Sequence, residues 1–324
     1  MVFKKMMRAF GVGGPSVDTV LTNPNTRPGL MLDGQVQVVG GDHDVTIEHV
    51  ALGLVTRVEV EGHDADYDTT MEFHRLAVAG GFTLAKGERR DIPFQFPVPW
   101  ETPITDVYGG RLHGMTMGLR TELAVARAVD KGDLDPVAVH PLPAQERILD
   151  AFSRLGFRFT KADLERGAIH GVRQTLPFYQ EIEFYPPPQY AGAINEAELT
   201  FVADPQGVEV ILEFDKRGGF LSSGHDAYGR FRVEHHAVDA TDWAAVVDGW
   251  VRQATERYSG LRGFTGGHGH PGKHGYPGGH GRGLGGGAMA AGVAGGVLGG
   301  MALGEVMDDA FEGGDGGDFG GEEE

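Results

Sequence analysis

Four histidines near the carboxyl terminus are the side chains whose type and spacing could bind a metal ion. His268, His270, His274 and His280 are separated by two, four and six residues within a glycine-rich stretch. Neutral imidazole nitrogens on such a chain can bind Ni, Cu or Zn ions. Because glycine gives the stretch no fixed geometry, two interpretations stay open: a weak metal site and a low-complexity segment without a ligand.

A second periodic feature lies in the same tail, where glycine repeats every four residues at Gly292, Gly296, Gly300 and Gly304. On a helix these glycines would form one smooth ridge suited to close helix contact. The stretch 283–304 has no charged residue, but its many glycines oppose helix formation. It is predicted as a linker, with weak membrane contact or self-association through the tail as the alternative.

Other residues of catalytic type occur without the spacing that an active site needs. The acidic run at residues 63–68, with His43 and Asp44 nearby in sequence, lacks the glycine and terminal glutamate of an EF-hand and is predicted as a solvated loop. His235 and His236 are adjacent, so on a strand they would point to opposite faces. No Walker A or Gly-x-Ser-x-Gly sequence is present. The sequence therefore predicts no catalytic residue, no cofactor and a protein that is not an enzyme.

Charge and cysteine content narrow the classes of partner. The 324 residues include 28 Lys and Arg against 46 Asp and Glu, a formal net charge of −18. Such a charge repels phosphate backbones at long range, so nucleic acid is not expected as a partner. The absence of cysteine excludes disulfides and Cys-ligated zinc and fits a cytoplasmic location. Lys4, Lys5 and Arg8 leave a peripheral membrane contact open as a minority interpretation.

Alternating apolar and polar residues predict antiparallel strands over most of residues 1–258. Strands are expected at 36–39, 45–52, 56–61, 71–78, 90–96 and 115–128, and again at 180–185, 198–202, 208–214 and 229–234. Apolar residues at helical spacing predict one helix at 143–155 and another from Thr241 to about Tyr258.

These elements predict an all-β chain of two tandem antiparallel β-sandwich domains with a few helices. The domains are predicted at residues 1–130 and 131–258, joined by a charged, turn-rich hinge at 131–136. Residues 259–324 form a low-complexity tail that is glycine-rich and histidine-rich, then uncharged, then acidic. The tail has too few large apolar residues to offset chain entropy, so disorder is predicted there.

Two proline-rich segments are candidate edges for protein contact. Residues 91–99 place Ile92, Phe94 and Phe96 on one face, while the prolines between and after them prevent pairing beyond an edge. An edge strand that resists aggregation is predicted, with a partner groove as the alternative. Residues 185–190, Tyr-Pro-Pro-Pro-Gln-Tyr, are predicted as a link between strands or, alternatively, a docking segment.

Five segments together resemble a bacterial sporulation-control family called SpoOM. They are residues 2–11, 17–21, 34–42, 92–103 and 119–124. The resemblance extends over about residues 1–258 and does not reach the tail. It implies an arrestin-like architecture and a regulatory role in sporulation or cell development, exercised through other proteins. The family offers no catalytic residues that could be transferred to this sequence.

The sequence thus predicts a non-enzymatic regulatory or adaptor protein that acts through protein partners in bacterial development, stress response or cell division. Two alternatives come from other classes: a metal-handling protein that uses the histidine-rich tail, and a scaffold at the membrane periphery.

Overall fold

The computed structural model describes residues 13–60, 67–191, 194–214, 229–239 and 241–265, with side chains of the last helix described as far as residue 254. Strands dominate these residues, which confirms the all-β class. The first-half strands are β1 (Ser16–Leu21), β2 (Asn25–Thr26), β3 (Met31–Val39), β4 (Val45–Val60), β5 (Tyr67–Ala79), β6 (Phe82–Leu84), β7 (Arg89–Pro97), β8 (Asp106–Val107), β9 (Gly110–Arg111) and β10 (Met117–Val125).

The remaining elements combine strands with two helices. They are β11 (Lys131–Pro136), β12 (Ala138–Val139), α1 (Pro143–Arg154), β13 (Arg158–Arg166), β14 (Phe178–Tyr185), β15 (Ala197–Ala203), β16 (Gly207–Phe214), β17 (Gly229–Glu234) and α2 (Trp243–Thr265). Helix α2 continues past Tyr258, where the sequence pattern predicted its end. No helix in the described part of the chain is long and apolar enough to span a bilayer.

The first half packs a small sheet against part of a large one. The small sheet has the order β1-β3-β7, and the large sheet contributes β11-β10-β4, with β5 and β6 also paired to β4. Alternate residues of the small sheet, such as Val36, Val38 and Phe96, are fully buried in a core shared with Leu52 of β4 and Leu119 of β10. The period-two pattern therefore places one face of each strand in the core.

Strand β4 is longer than expected and joins the two halves. The sequence predicted separate strands at 45–52 and 56–61, but β4 is continuous because Gly53 pairs with β10 on one side and with β5 on the other. Past the part of β4 that pairs with β10, Glu59 forms a parallel bridge with Glu165 of β13. Val58 accordingly lies in the core of the second half.

In the second half, strands β13 to β17 form an antiparallel extension of the same large sheet. One face of this extension is buried with residues of α1 and α2, and Phe152 of α1 lies fully buried with its ring centroid 4.9 Å from that of Phe157 and 5.0 Å from that of Phe184. Pro143 suits the first turn of α1, and the Leu142 N–H donates to Gln145 Oε1 at 2.8 Å.

The prediction of a hinge at residues 131–136 is wrong, because this segment is strand β11. It pairs with β10 from Gly118 to Leu123, and its Leu134 is buried. Pairing with the neighbouring strand β10 therefore determines the structure of this segment, although its residues are of types that favour turns. The division of the chain at residue 130 into two sandwich domains stays a prediction.

Candidate functional site

The residues that the sequence singled out for chemistry mostly lie outside the described residues. This holds for the predicted metal ligands, the predicted helix-contact ridge and the predicted disordered tail. The residues concerned are His268, His270, His274, His280, Gly292, Gly296, Gly300 and Gly304. The metal and ridge hypotheses therefore stay predictions.

The adjacent histidines are described and lie directly after the predicted strand at 229–234. His235 and His236 form a 3-10 turn after β17. His235 Nε2 lies 2.9 Å from Asp204 O, and the ring stacks on Trp100 at a centroid distance of 5.4 Å. The contact with Trp100 places His235 at the junction between the two halves of the molecule.

A buried glutamine side chain is the main polar contact of this junction. Ile104, between β7 and β8, donates its N–H to Gln180 Oε1 at 3.1 Å, and Gln180 Nε2 donates to Ile104 O at 2.8 Å. Both residues are buried. The amide of Gln180 thus replaces a neighbouring strand and satisfies both backbone groups of Ile104.

A carboxylate also fixes the segment between β7 and β8 that contains Ile104. Glu101 accepts backbone N–H groups from Thr175 at 2.8 Å and from Leu176 at 2.9 Å, in the loop that precedes β14. Gln174 holds that loop in turn by donating to the carbonyl oxygens of Gly167, Leu176 and Phe178. Charge-assisted hydrogen bonds of this kind are stronger than neutral ones.

The turn before β10 completes the junction. The Ala162 N–H of β13 donates to His113 O at 2.9 Å, and the backbone of Gly114 lies directly against Ala162 O. Nearby, Phe73 of β5 meets Phe178 of β14 edge-to-face at 5.4 Å. Strand pairing, a side-chain amide, a carboxylate and aromatic rings therefore fix the two halves in one relative position.

The outer face of β4, β5 and β10 carries charges that compensate one another. Arg75 Nη2 donates to Glu122 Oε1 at 2.7 Å, His49 Nε2 lies 3.0 Å from the same oxygen, and Arg120 donates to Glu72. The hydrogen bond from Arg75 is the main cause that lowers the pKa of Glu122. Two arginines are thus balanced by two glutamates, and partly exposed pairs of this kind contribute little stability.

The outer face of the second half, opposite the helices, is acidic. Glu183, Glu198 and Glu213 stand directly opposite one another on β14, β15 and β16. Glu183 and Glu198 are partly exposed, whereas Glu213 is buried. In the neighbouring row Asp163 of β13 faces Glu181 of β14. Like charges in opposed positions on a sheet oppose its formation. The register therefore collects carboxylates that the sequence distributes over fifty residues.

Three carboxyl groups of strands β13 and β14 are close enough to hold a metal ion. One oxygen from each of Asp163, Glu165 and Glu181 lies within 4.8 Å of the other two. Lys161 neutralises part of the face, with Nζ 2.7 Å from Asp163 Oδ2 and 3.1 Å from Glu183 Oε1. Burial, reinforced by the surrounding carboxylates, raises the pKa of Glu181 well above its ordinary value. Burial also raises the pKa of Glu183 to about 7, against the opposing effect of Lys161.

The Glu181→Gln substitution is expected to stabilise the protein more as the pH rises. A carboxyl group whose pKa is raised on folding loses stability once the pH exceeds its ordinary value of 4.5, whereas an amide does not. We expect a gain of more than about 1 kcal/mol at pH 8.5, falling toward zero at pH 4. Urea denaturation at both pH values measures it. The exposed Glu48→Gln on β4 is the control, and an equal gain for both variants would contradict the prediction.

The two proline-rich segments differ in accessibility. Strand β7 is an edge of the small sheet with Phe94 and Phe96 buried, so the predicted edge is confirmed. In the second segment Tyr185 is half exposed, but Tyr190 is buried, stacks on Phe157 at 5.8 Å and donates its hydroxyl to Asp248. This segment is a turn anchored by Tyr190, and Tyr185 is its accessible end.

Comparison with known proteins places these features in a family context. The family described as SpoOM protein matches residues 3–218. The sporulation-control protein spo0M of Bacillus subtilis (strain 168) is 35% identical over 216 residues, which cover 66% of this chain and 81% of the relative. The crystal structure of Spo0M from Bacillus subtilis is similar with a TM-score of 0.66 and 30% identity, covering 76% of this chain and 100% of that chain. The family match includes most of the junction and the whole acidic face.

Proposed function

Because the chain belongs to the SpoOM protein family, we propose that it is a non-enzymatic regulatory protein that acts in bacterial cell development, stress response or cell division through contacts with other proteins. The observation that carries the proposal is the relation to a sporulation-control protein over 81% of that relative's length. The absence of cysteine suits action in the reducing cytoplasm.

The acidic outer face of β13 to β16 is the surface on which we place the partner. Its partly exposed carboxylates include Glu183 and Glu198, which oppose each other on β14 and β15. Half-exposed Tyr185 lies on the same face, beside Arg158 on the neighbouring strand. An aromatic side chain at the margin of a charged surface is a typical contact in protein interfaces. The partner that fits this surface carries positive charge.

Site-specific photo-crosslinking in cells tests this function with the full chain. A crosslinking amino acid at position 185 is expected to capture a defined set of proteins. The matched control is position 108, because Tyr108 is also exposed but lies on the helix side of the molecule, near Asp150 of α1. Capture of the same proteins at both positions, or of none at position 185, would contradict a partner surface on the acidic face.

Calorimetry separates the metal-handling alternative from the adaptor role. Full-length chain is titrated with Zn or Ni ions, and again after His268, His270, His274 and His280 have been replaced by alanine. If binding and biological activity disappear together, the metal-handling hypothesis replaces the adaptor. Fractionation of cells tests the scaffold at the membrane periphery, which requires the full chain to sediment with membranes.

A further inference from the structure

Strands β1 and β11 are edge strands of different sheets that meet along one side of the first half. β1 pairs only with β3, and β11 pairs only with β10, among the described residues. The Thr19 N–H of β1 donates to Asp133 Oδ2 of β11 at 2.8 Å. The hydroxyl groups of Thr19 and Thr121 lie 2.6 Å apart beneath this contact. Side chains, rather than a backbone ladder, therefore close this seam.

Two carboxyl groups lie together at the seam. Asp133 and Asp135 are two residues apart on β11 and thus share a face, with their carboxyl groups in hydrogen-bonding contact. Asp135 Oδ2 is buried and meets no N–H or hydroxyl donor among the described residues. Two ionised carboxylates cannot bond to each other, whereas a protonated Asp135 donates to Asp133 and satisfies its own buried oxygen.

We propose that the Asp133–Asp135 pair is a proton-dependent latch: a proton carried by Asp135 holds Asp133 in place to accept the Thr19 N–H, and loss of this proton releases β1 from β11. Closing the latch needs no ligand beyond a proton. The first half thereby gains a strand whose attachment responds to pH near neutrality.

The charges around the pair favour retention of the proton. Burial raises the pKa of Asp135 to about 8, with the negative charges of Asp133 and of Asp18 on β1 acting in the same direction. Burial also raises the pKa of Asp133, although the Thr19 N–H opposes this. On β10 the residues paired with the two aspartates are Thr121 and Leu119, which are uncharged. Lys131, earlier on β11, lies beside Gly14 before the start of β1.

The direction of the pH effect follows from the release of a proton on opening. An opened seam returns Asp135 toward its ordinary pKa of 3.8, so opening is favoured by up to about tenfold for each pH unit between that value and about 8. Above pH 8 both states are ionised, and the dependence levels off. The latch is therefore firmest in acid and weakens progressively toward pH 8.

Hydrogen exchange of the Thr19 amide in the full chain tests the latch, because this N–H donates to Asp133 and not to β3. After correction for the intrinsic exchange rate, its exchange is expected to rise at least tenfold between pH 6 and pH 8 and to level off above pH 8. In Asp135→Asn the amide donates to Asp133 at every pH, so exchange should stay at the slow value. Asp133→Asn, which keeps a donor within the pair, should behave in the same way.

The control variant is Asp91→Asn on β7, an aspartate that pairs with Arg89 at the surface. It should keep the pH dependence of the native chain. Exchange of the Thr19 amide that is independent of pH in the native chain would overturn the proposal, and so would an unchanged pH dependence in both Asp135→Asn and Asp133→Asn.

Discussion

The Gln180→Leu variant is expected to lose about 2 to 5 kcal/mol of the free energy of unfolding. Leucine fills a similar volume but offers neither a donor nor an acceptor, so the N–H and C=O of Ile104 are left buried without partners. Ile104 is 1% exposed and Gln180 is 7% exposed, which leaves little access for water to replace the lost hydrogen bonds. Urea denaturation followed by circular dichroism measures the change.

A matched glutamine controls for the chemical change itself. Gln95→Leu removes an exposed side chain on β7 that donates to Asp33 at 3.1 Å, and its effect is expected to stay within about 0.5 kcal/mol. If Gln180→Leu is as mild as Gln95→Leu, the amide does not hold the junction. A smaller denaturant slope in Gln180→Leu would indicate that the halves unfold separately once the amide is gone.

The Gly114→Ala variant is expected to lose about 2 to 5 kcal/mol through backbone strain and overpacking together. Gly114 has a φ of +92°, and a Cβ at this position would lie 2.1 Å from Ala162 O. Relief requires the turn to move away from β13, which weakens the hydrogen bond from the Ala162 N–H to His113 O. Thermal and urea unfolding of the purified variant measure the loss.

Gly87 separates strain from contact, because it has the same kind of backbone with open space around it. Its φ is +67°, and a Cβ there would meet nothing within 4 Å. Gly87→Ala is therefore expected to lose only about 1 to 2 kcal/mol, from its left-handed conformation alone. Equal losses in the two variants would show that contact with β13 at Gly114 contributes nothing.

Residue periodicity predicted the elements in which apolar residues recur at regular spacing. Strands β7 and β16 and helix α1 lie within one residue of their predicted bounds, because each has apolar residues at alternate or helical spacing. Strand β3 begins at Met31, five residues before the predicted start at 36. Strand β13 was missed because its register shifts between Phe159 and Ala162, so its apolar residues change from odd to even positions. Strand β11 was taken as a hinge because only Leu134 on it is apolar.

The junction and the acidic face depend on contacts that local sequence does not contain. Gln180 and Ile104 are far apart in the chain, and neither residue stands in a motif that marks it as a partner of the other. The opposition of Glu183, Glu198 and Glu213 follows from the register of three strands, which alternation alone does not set. The sequence shows an acidic residue within each predicted strand, but it does not show which residues of the adjacent strands lie opposite it.

The long strand β4 affects how the protein emerges from the ribosome. Val58 and Glu59, at its end, meet core residues and a partner strand that are synthesised more than one hundred residues later. Phe73 likewise contacts Phe178, which is synthesised about one hundred residues later. A nascent chain that has completed only the first half therefore exposes apolar surface until β14 is free of the exit tunnel. Chaperones that bind exposed apolar segments should protect the chain during this interval, and slow translation through α1 would lengthen it.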